Sequence, residues 1–162
     1  MTHVARLSQG RWAEYRDLRL EALKTDPEAF GSSFEEEADF TEEKWKERMK
    51  DVFFAFVEGT PIGMLGIVFN DRVKQRHTAH IFGVYVTPKH RRTGAGRALL
   101  KAALSEARDH GGIVKVQLGV VPEMRAAVAL YQSAGFRTVG RMKKEIRVGR
   151  KYYDMLTMEK LL

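Results

Sequence analysis

The sequence predicts an α/β (mixed α+β) fold, with one mixed central sheet of about six to seven strands flanked by about four helices, in a single domain over residues 1–162. A chain of 162 residues suits one domain and buries most of its apolar surface without help from a disulfide or a metal. Apolar residues recur at a spacing of two in some segments and of three to four in others, the periods of strands and helices. Gly, Pro, Asn and Asp punctuate the segments, and no repeat, low-complexity tract or Pro/Ser-rich linker divides them.

Residues 3–7 alternate weakly, like an edge strand. Ser8 is placed to cap a helix over 9–25, whose buried stripe is Trp12, Tyr15, Leu18 and Ala22 and which ends at Asp26-Pro27. Ser32-Ser33-Phe34-Glu35-Glu36 holds two overlapping Ser-x-x-Glu patterns, each a capping-box signature. Thr41-Glu42-Glu43 opens a second helix, with Trp45, Met49 and Val52 turned inward. Strands follow at 52–58, 62–69 and 78–86, and Gly83 inside the third predicts a bulge or a close backbone approach. A helix over 94–110 buries Leu99, Leu100, Ala103, Leu104 and Ala107 and stops at Gly111-Gly112. A strand at 113–120 precedes a short helix at 123–134 with Gly135 as its C-cap. Strands at 136–148 and 151–160 form a hairpin through Gly149-Arg150. The order is β-α-α-β-β-β-α-β-α-β-β.

Composition excludes several function classes. Hydrophobic residues at 44% and charged residues at 30% exclude a disordered chain. The absence of cysteine excludes disulfides, thiolate metal sites and a cysteine nucleophile. His77 and His80 face opposite sides of a strand with no carboxylate to complete a metal site, so none is expected. No apolar run is long enough to span a membrane, and no signal-peptide pattern opens the chain, so a cytoplasmic protein is expected. The net charge of +7 is uneven. Residues 1–81 hold 12 Lys and Arg against 15 Asp and Glu, whereas residues 82–162 hold 16 against 6. The second half thus attracts an anion, either nucleic acid or a polyphosphate, unless it is simply a solvated basic face.

The segment Val84 to Leu100 favours the polyphosphate. A strand ends, a basic loop with Gly94 and Gly96 follows, and a helix begins. Unpaired N–H groups at a helix start make an anion cradle, and the glycines keep side chains from holding a phosphate away. Arg91, Arg92 and Arg97 add charge and donors. The loop is neither a Walker A motif nor a dinucleotide fingerprint. The plainer alternative is a basic helix start with two incidental glycines.

Val86-Thr87-Pro88-Lys89-His90-Arg91-Arg92-Thr93-Gly94-Ala95-Gly96 resembles motif A of the GNAT N-acetyltransferase superfamily, V-x-P-x-x-R-x-x-G-x-G. Ala127-Val128-Ala129-Leu130-Tyr131-Gln132-Ser133-Ala134-Gly135-Phe136 resembles its motif B, A-x-x-L-Y-x-x-x-G-F, in the right order and with a strand between. The resemblance implies acetyl-CoA as cosubstrate. It places the pyrophosphate on the N–H groups of Arg92, Thr93, Gly94, Ala95, Gly96 and Arg97, and the pantetheine arm along Val84, Tyr85 and Val86 between two splayed strands. It implies direct acyl transfer to a primary amine, with Tyr131 serving the departing sulfur.

That chemistry needs a deprotonated amine, because an alkylammonium with a pKa of about 10.4 has no free lone pair. Relatives carry a Glu on the strand before motif A, where the titratable side chain here is His80. Relatives that modify protein N-termini place a Glu where Gly119 stands. Glu35 and Glu36 border the segment that flanks the acceptor site in this fold, with helix capping as their other reading, and Asp154 is a further acceptor-side candidate. Met124 replaces the Asn that contacts the cofactor in motif B, a loss of about 1 kcal/mol. The acidic run from Glu35 to Glu43 makes a cationic small amine the expected acceptor, with peptide N-termini and lysine side chains still open. Two other readings compete: a GNAT-fold CoA binder without catalysis, and a nucleic-acid binder using the basic residues from Arg137 to Lys151 beside Tyr152 and Tyr153. Oligomers are common in this fold, a homodimer among them, and nothing in the sequence marks an interface.

Overall fold

Seven strands pair into one mixed sheet of order β1-β2-β3-β4-β5-β7-β6 in the computed structural model, which describes residues 1–162. The strands are β1 (His3–Ala5), β2 (Val52–Val57), β3 (Thr60–Phe69), β4 (Thr78–Val86), β5 (Lys115–Val120), β6 (Arg137–Val148) and β7 (Lys151–Leu161). The helices are α1 (Trp12–Thr25), α2 (Phe34–Ala38), α3 (Glu42–Met49), α4 (Ala95–Asp109) and α5 (Arg125–Ser133). That is five helices where the sequence predicts about four, because the acidic segment makes a separate short α2. No helix is long and apolar enough to cross a membrane.

Local chemistry explains most boundaries. Ser33 accepts the Glu36 N–H while the Glu36 carboxylate takes the Ser33 N–H, so the overlapping patterns resolve to one capping box, Ser33–Glu36. Thr41 caps α3 by accepting the Lys44 N–H. The expected Ser8 cap does not form: its side chain makes no capping bond, and a single 3₁₀ turn, Gln9–Arg11, leads into α1 instead. β5 begins at Lys115, two residues later than predicted. The β6–β7 hairpin closes at Gly149-Arg150 as predicted, with Val148 opposite Lys151.

Two apolar layers hold the sheet. On one face α4 sets Leu99, Leu100, Ala103 and Leu104 against Leu65, Ile67, Ile81, Val116 and Leu118. On the other, α1 and α3 set Tyr15, Leu18, Ala22, Trp45 and Met49 against Phe54, Phe56, Met64 and Tyr85. The Tyr15 ring meets Trp45 and Phe54 edge-on, with centroids 5.4 and 5.5 Å away. The Val-Phe-Phe-Ala-Phe-Val run of β2 is apolar throughout because helices cover it on both sides.

Two irregularities of β4 shape the site. Its register with β3 slips between Phe82 and Tyr85, at Gly83, whose φ of +60° is one that L side chains rarely adopt. Its parallel pairing with β5 covers only Thr78–His80 against Lys115–Gln117. Beyond that rung the two strands part.

Candidate active site

The turn between β4 and α4 leaves its main chain open. None of the six consecutive N–H groups from Arg92 to Arg97 donates to a backbone or side-chain acceptor within the protein, and the first bond of α4 is Ala98 N–H to Gly94 C=O. Gly94 caps the helix at φ +92°, and a Cβ there would meet nothing within 4 Å. Arg92 also takes a left-handed conformation, φ +63°, uncommon for a residue with a side chain. Thr93 braces the loop by donating its hydroxyl to His90 C=O at 2.6 Å. Arg92 and Arg97 are exposed beside the open N–H groups. Arg91 is committed elsewhere: Nε donates to Val86 C=O at 2.9 Å and Nη2 to Asp26 at 2.6 Å. It therefore braces the end of β4 against the end of α1. The geometry is that of an anion cradle.

The parted strands frame a cavity of about 60 Å³, ten of whose twelve lining residues are hydrophobic. Gly83, Val84, Gly119, Met124 and Tyr131 are among them. Gly96 ties this opening to the cradle, since a Cβ on it would lie 3.1 Å from Leu130, the neighbour of Tyr131. The Tyr131 ring is buried beside Phe136, and its hydroxyl makes no hydrogen bond within the protein. Trp45 Nε1 is the only fully sealed side-chain polar atom without a partner, so the Tyr131 hydroxyl opens onto the cavity. Burial pushes its pKa well above the ordinary phenol value. Val84 borders the opening. Thr87 N–H donates to Ile62 C=O in β3, so by strand alternation the Val86 amide turns away from β3 and Tyr85 towards it. The Tyr85 side chain lies under α1 and donates to Glu21 at 2.9 Å. Burial and the Glu21 carboxylate raise it to about 12.

A second, larger cavity of about 540 Å³ lies between the end of α1, the α1–α2 loop and the β6–β7 hairpin. A register shift in β6 between Met142 and Ile146 brings Glu145 to Gly149 over it. Of the acidic candidates Glu35 lines this cavity, and Glu36 is held in the capping box. The buried acid is Glu37, which the sequence reading passed over. It accepts Arg19 Nε and Nη2, each at 2.9 Å, with Arg48 Nη2 at 3.4 Å from the same carboxylate. Burial pushes the Glu37 carboxyl up, but Arg19, Arg48 and Ser32 outweigh it and hold the carboxyl below the ordinary range. Glu42 pairs with Lys46. Within the acidic run, Glu37 and Glu42 are paired with cations and Glu36 with its own helix cap, while Glu35, Asp39 and Glu43 form no ion pair. Arg19 stands one turn after Tyr15 on the buried stripe of α1, and an arginine at an apolar stripe position was the available signal.

His80 sits at the last paired rung of β4 and β5, opposite Gln117. Ala79 and Ile81 point into the α4 layer, so His80 faces the other side, that of α1. The residue is exposed and makes no hydrogen bond within the protein, and partial desolvation by its neighbours lowers its pKa. Gly119 offers no carboxylate, and Met155 Sδ lies 2.6 Å from where a Cβ on it would stand. Asp154 is drawn into the hairpin, accepting the Lys144 N–H at 2.9 Å and Arg141 Nε at 2.8 Å, which keep its carboxyl below the usual range. Lys144 and Arg147 lie 5.5 and 5.9 Å from the Tyr152 ring and Lys151 lies 4.8 Å from the Tyr153 ring, while Tyr152 remains half exposed.

A model of the acetyltransferase (GNAT) family matches residues 12–136. Over 135 residues the chain is 31% identical to N-acetyltransferase 8 of Homo sapiens, covering 83% of this chain and 53% of that protein. The chain spans about half the length of the curated relatives it matches. A GNAT-family acetyltransferase from Streptococcus pneumoniae shares the fold with a TM-score of 0.88 at 24% identity, over 100% of both chains. So does yncA, a putative acetyltransferase from Salmonella typhimurium solved with its cofactor acetyl-CoA, with a TM-score of 0.80 at 20% identity, over 99% of this chain and 94% of that one. With its cradle, its parted strands and a family model that matches most of its length, this chain belongs to the acetyltransferase (GNAT) family.

Proposed function

We infer that the protein is an acetyl-CoA-dependent N-acetyltransferase acting on a primary amine of a small molecule or peptide. The observation that carries this reading is the run of six main-chain N–H groups, Arg92 to Arg97, without an acceptor in the protein. They suit the pyrophosphate of CoA, and Arg92 and Arg97 add charge beside them. The cavity between β4 and β5 has room for about two water volumes, which suits a two-carbon acyl group better than a long one.

Acetyl-CoA, when bound, supplies an activated acyl group and a thiolate leaving group. The residues of the chain do the rest. Val84 supplies a main-chain donor at the mouth of the opening for charge developing on the acyl oxygen. Tyr131 keeps its proton because burial raises its pKa, and its hydroxyl donates to the departing sulfur. His80 is neutral at neutral pH because burial lowers its pKa, so it is able to take the amine proton on the α1 face. The apolar lining of the opening favours a neutral amine over an ammonium.

Calorimetric titration with CoA and acetyl-CoA tests the reading. Wild-type protein should bind in the micromolar range, roughly −8 kcal/mol, and a Gly94→Glu/Gly96→Glu variant should not. Thiol release with an amine panel then tests turnover. Folded wild-type protein that binds neither ligand sinks the reading, and binding without turnover on any amine reduces the protein to a CoA binder.

A further inference from the structure

We propose that the acyl acceptor is a free α-amino acid whose carboxylate is taken by Nη1 of Arg19, across the bulge of β4. This rests on the acetyltransferase reading and narrows it to a substrate class.

Arg19 is only 5% exposed, a rare state for a guanidinium. Glu37 occupies one edge of it, through Nε and Nη2. Nη1 donates to no group in the protein, yet it is not sealed, since the only sealed unpartnered side-chain atom is Trp45 Nε1. It lies 3.2 Å from the position a Cβ on Gly83 would occupy. Gly83 also lines the opening where β4 and β5 part. The free donor therefore stands beside the residue that borders the acyl-transfer opening. An α-amino acid carries its carboxylate one carbon from its amine, so its anchor must lie next to that opening, as Arg19 does.

The electrostatics agree. Arg19 and Arg48 share the single carboxylate of Glu37, which leaves one positive charge in excess. The Arg48 side chain is 25% exposed, whereas that of Arg19 is only 7% exposed, so Arg19 has the greater need of an anionic partner. Phe30 lies against the guanidinium plane, 4.8 Å from its centre, and also lines the larger cavity. That cavity carries Lys24 and Arg147 as well as Glu35 and Glu145, a balanced set that suits a zwitterion better than a polycation.

The test uses the full chain, acetyl-CoA and thiol release. The panel contains the free L-amino acids, their amides and methyl esters, the corresponding decarboxylated amines and spermidine. At least one free amino acid should turn over, and its amide and ester should lose at least 100-fold in kcat/KM, mostly through KM. Arg19→Lys keeps a charge beside Glu37 but removes Nη1. It should bring the free acid and the amide to within a few-fold of each other, while acetyl-CoA affinity by calorimetry stays unchanged. Equal use of acid and amide by the wild type, or preferred use of spermidine, overturns the proposal and leaves the acetyltransferase reading standing. So does an Arg19→Lys variant that retains the 100-fold preference. Acetyl-CoA binding with no turnover on any amine overturns both. The substrate comparison needs no variant, so the proposal stays testable even where Arg19→Lys fails to fold.

Discussion

Tyr131→Phe isolates one atom of the candidate site. The ring packs beside Phe136, and the hydroxyl bonds to nothing in the protein, so the substitution removes no internal hydrogen bond and opens no cavity. The melting temperature and acetyl-CoA affinity should therefore stay at wild-type values. The loss falls on turnover. A phenol near 10 is already a weaker acid than a thiol near 8.5, and burial of Tyr131 widens the gap, at about 1.4 kcal/mol per unit. Complete proton transfer from Tyr131 to the departing sulfur is thus uphill, and its contribution is a hydrogen bond to a charged acceptor. Such a bond contributes about 1.5–3 kcal/mol, which is about 10- to 150-fold in kcat.

The assay is steady-state thiol release at saturating acetyl-CoA, with calorimetry of the same variant as a control. Because burial raises the Tyr131 pKa, its ionisation should put no alkaline limb on the wild-type profile below pH 10. Wild-type turnover in the variant takes Tyr131 out of the chemistry. A loss beyond about 10³-fold with affinity intact shows that the proton is fully transferred, and refutes the inference from burial.

Three further outcomes are expected. Gly94→Ala places an L side chain at φ +92° with free space around it, so the cost is backbone alone, about 1–2 kcal/mol; the melting temperature should fall by about 2–8 °C and CoA should bind more weakly in calorimetry. Glu37→Gln leaves Arg19 buried and uncompensated, at about 3–5 kcal/mol in urea unfolding; in the wild type the lowered Glu37 pKa means this stability is present above the unfolded carboxyl value and lost as pH falls through the folded one, so a midpoint insensitive to acid contradicts it. With the His80 pKa lowered below about 6.5, kcat/KM should hold at neutral pH and fall below that value, and His80→Gln should abolish the limb; an unchanged limb in the variant moves the base elsewhere.

What the sequence shows in advance divides by distance along the chain. The cradle is contiguous: one stretch, Arg92 to Arg97, carries the open N–H groups, and the glycines that allow the turn lie inside it. Gly83 announces the bulge of β4 because a glycine in an otherwise apolar strand weakens it unless backbone geometry needs it. The acceptor side is different. Glu35, Glu36 and Glu37 are adjacent, and the Ser-x-x-Glu spacing singles out the first two. The short α2 instead turns Glu36 back on its own cap and sends Glu37 inward to Arg19, eighteen residues earlier on another helix. Successive residues on a helix point about 100° apart, so which of three equal acids is buried depends on where α1 lies, a tertiary fact. Asp154 shows the same dependence: Arg141 reaches it diagonally across the β6–β7 pairing, and the Lys144 N–H meets it where β6 bulges between Met142 and Ile146. The candidate phosphate-holding half of the site therefore follows from local sequence. The half proposed to select the acceptor draws on α1, α2, β4 and the β6–β7 hairpin, and its proposed anchor, Arg19, is marked in the sequence only by standing at an apolar stripe position of α1.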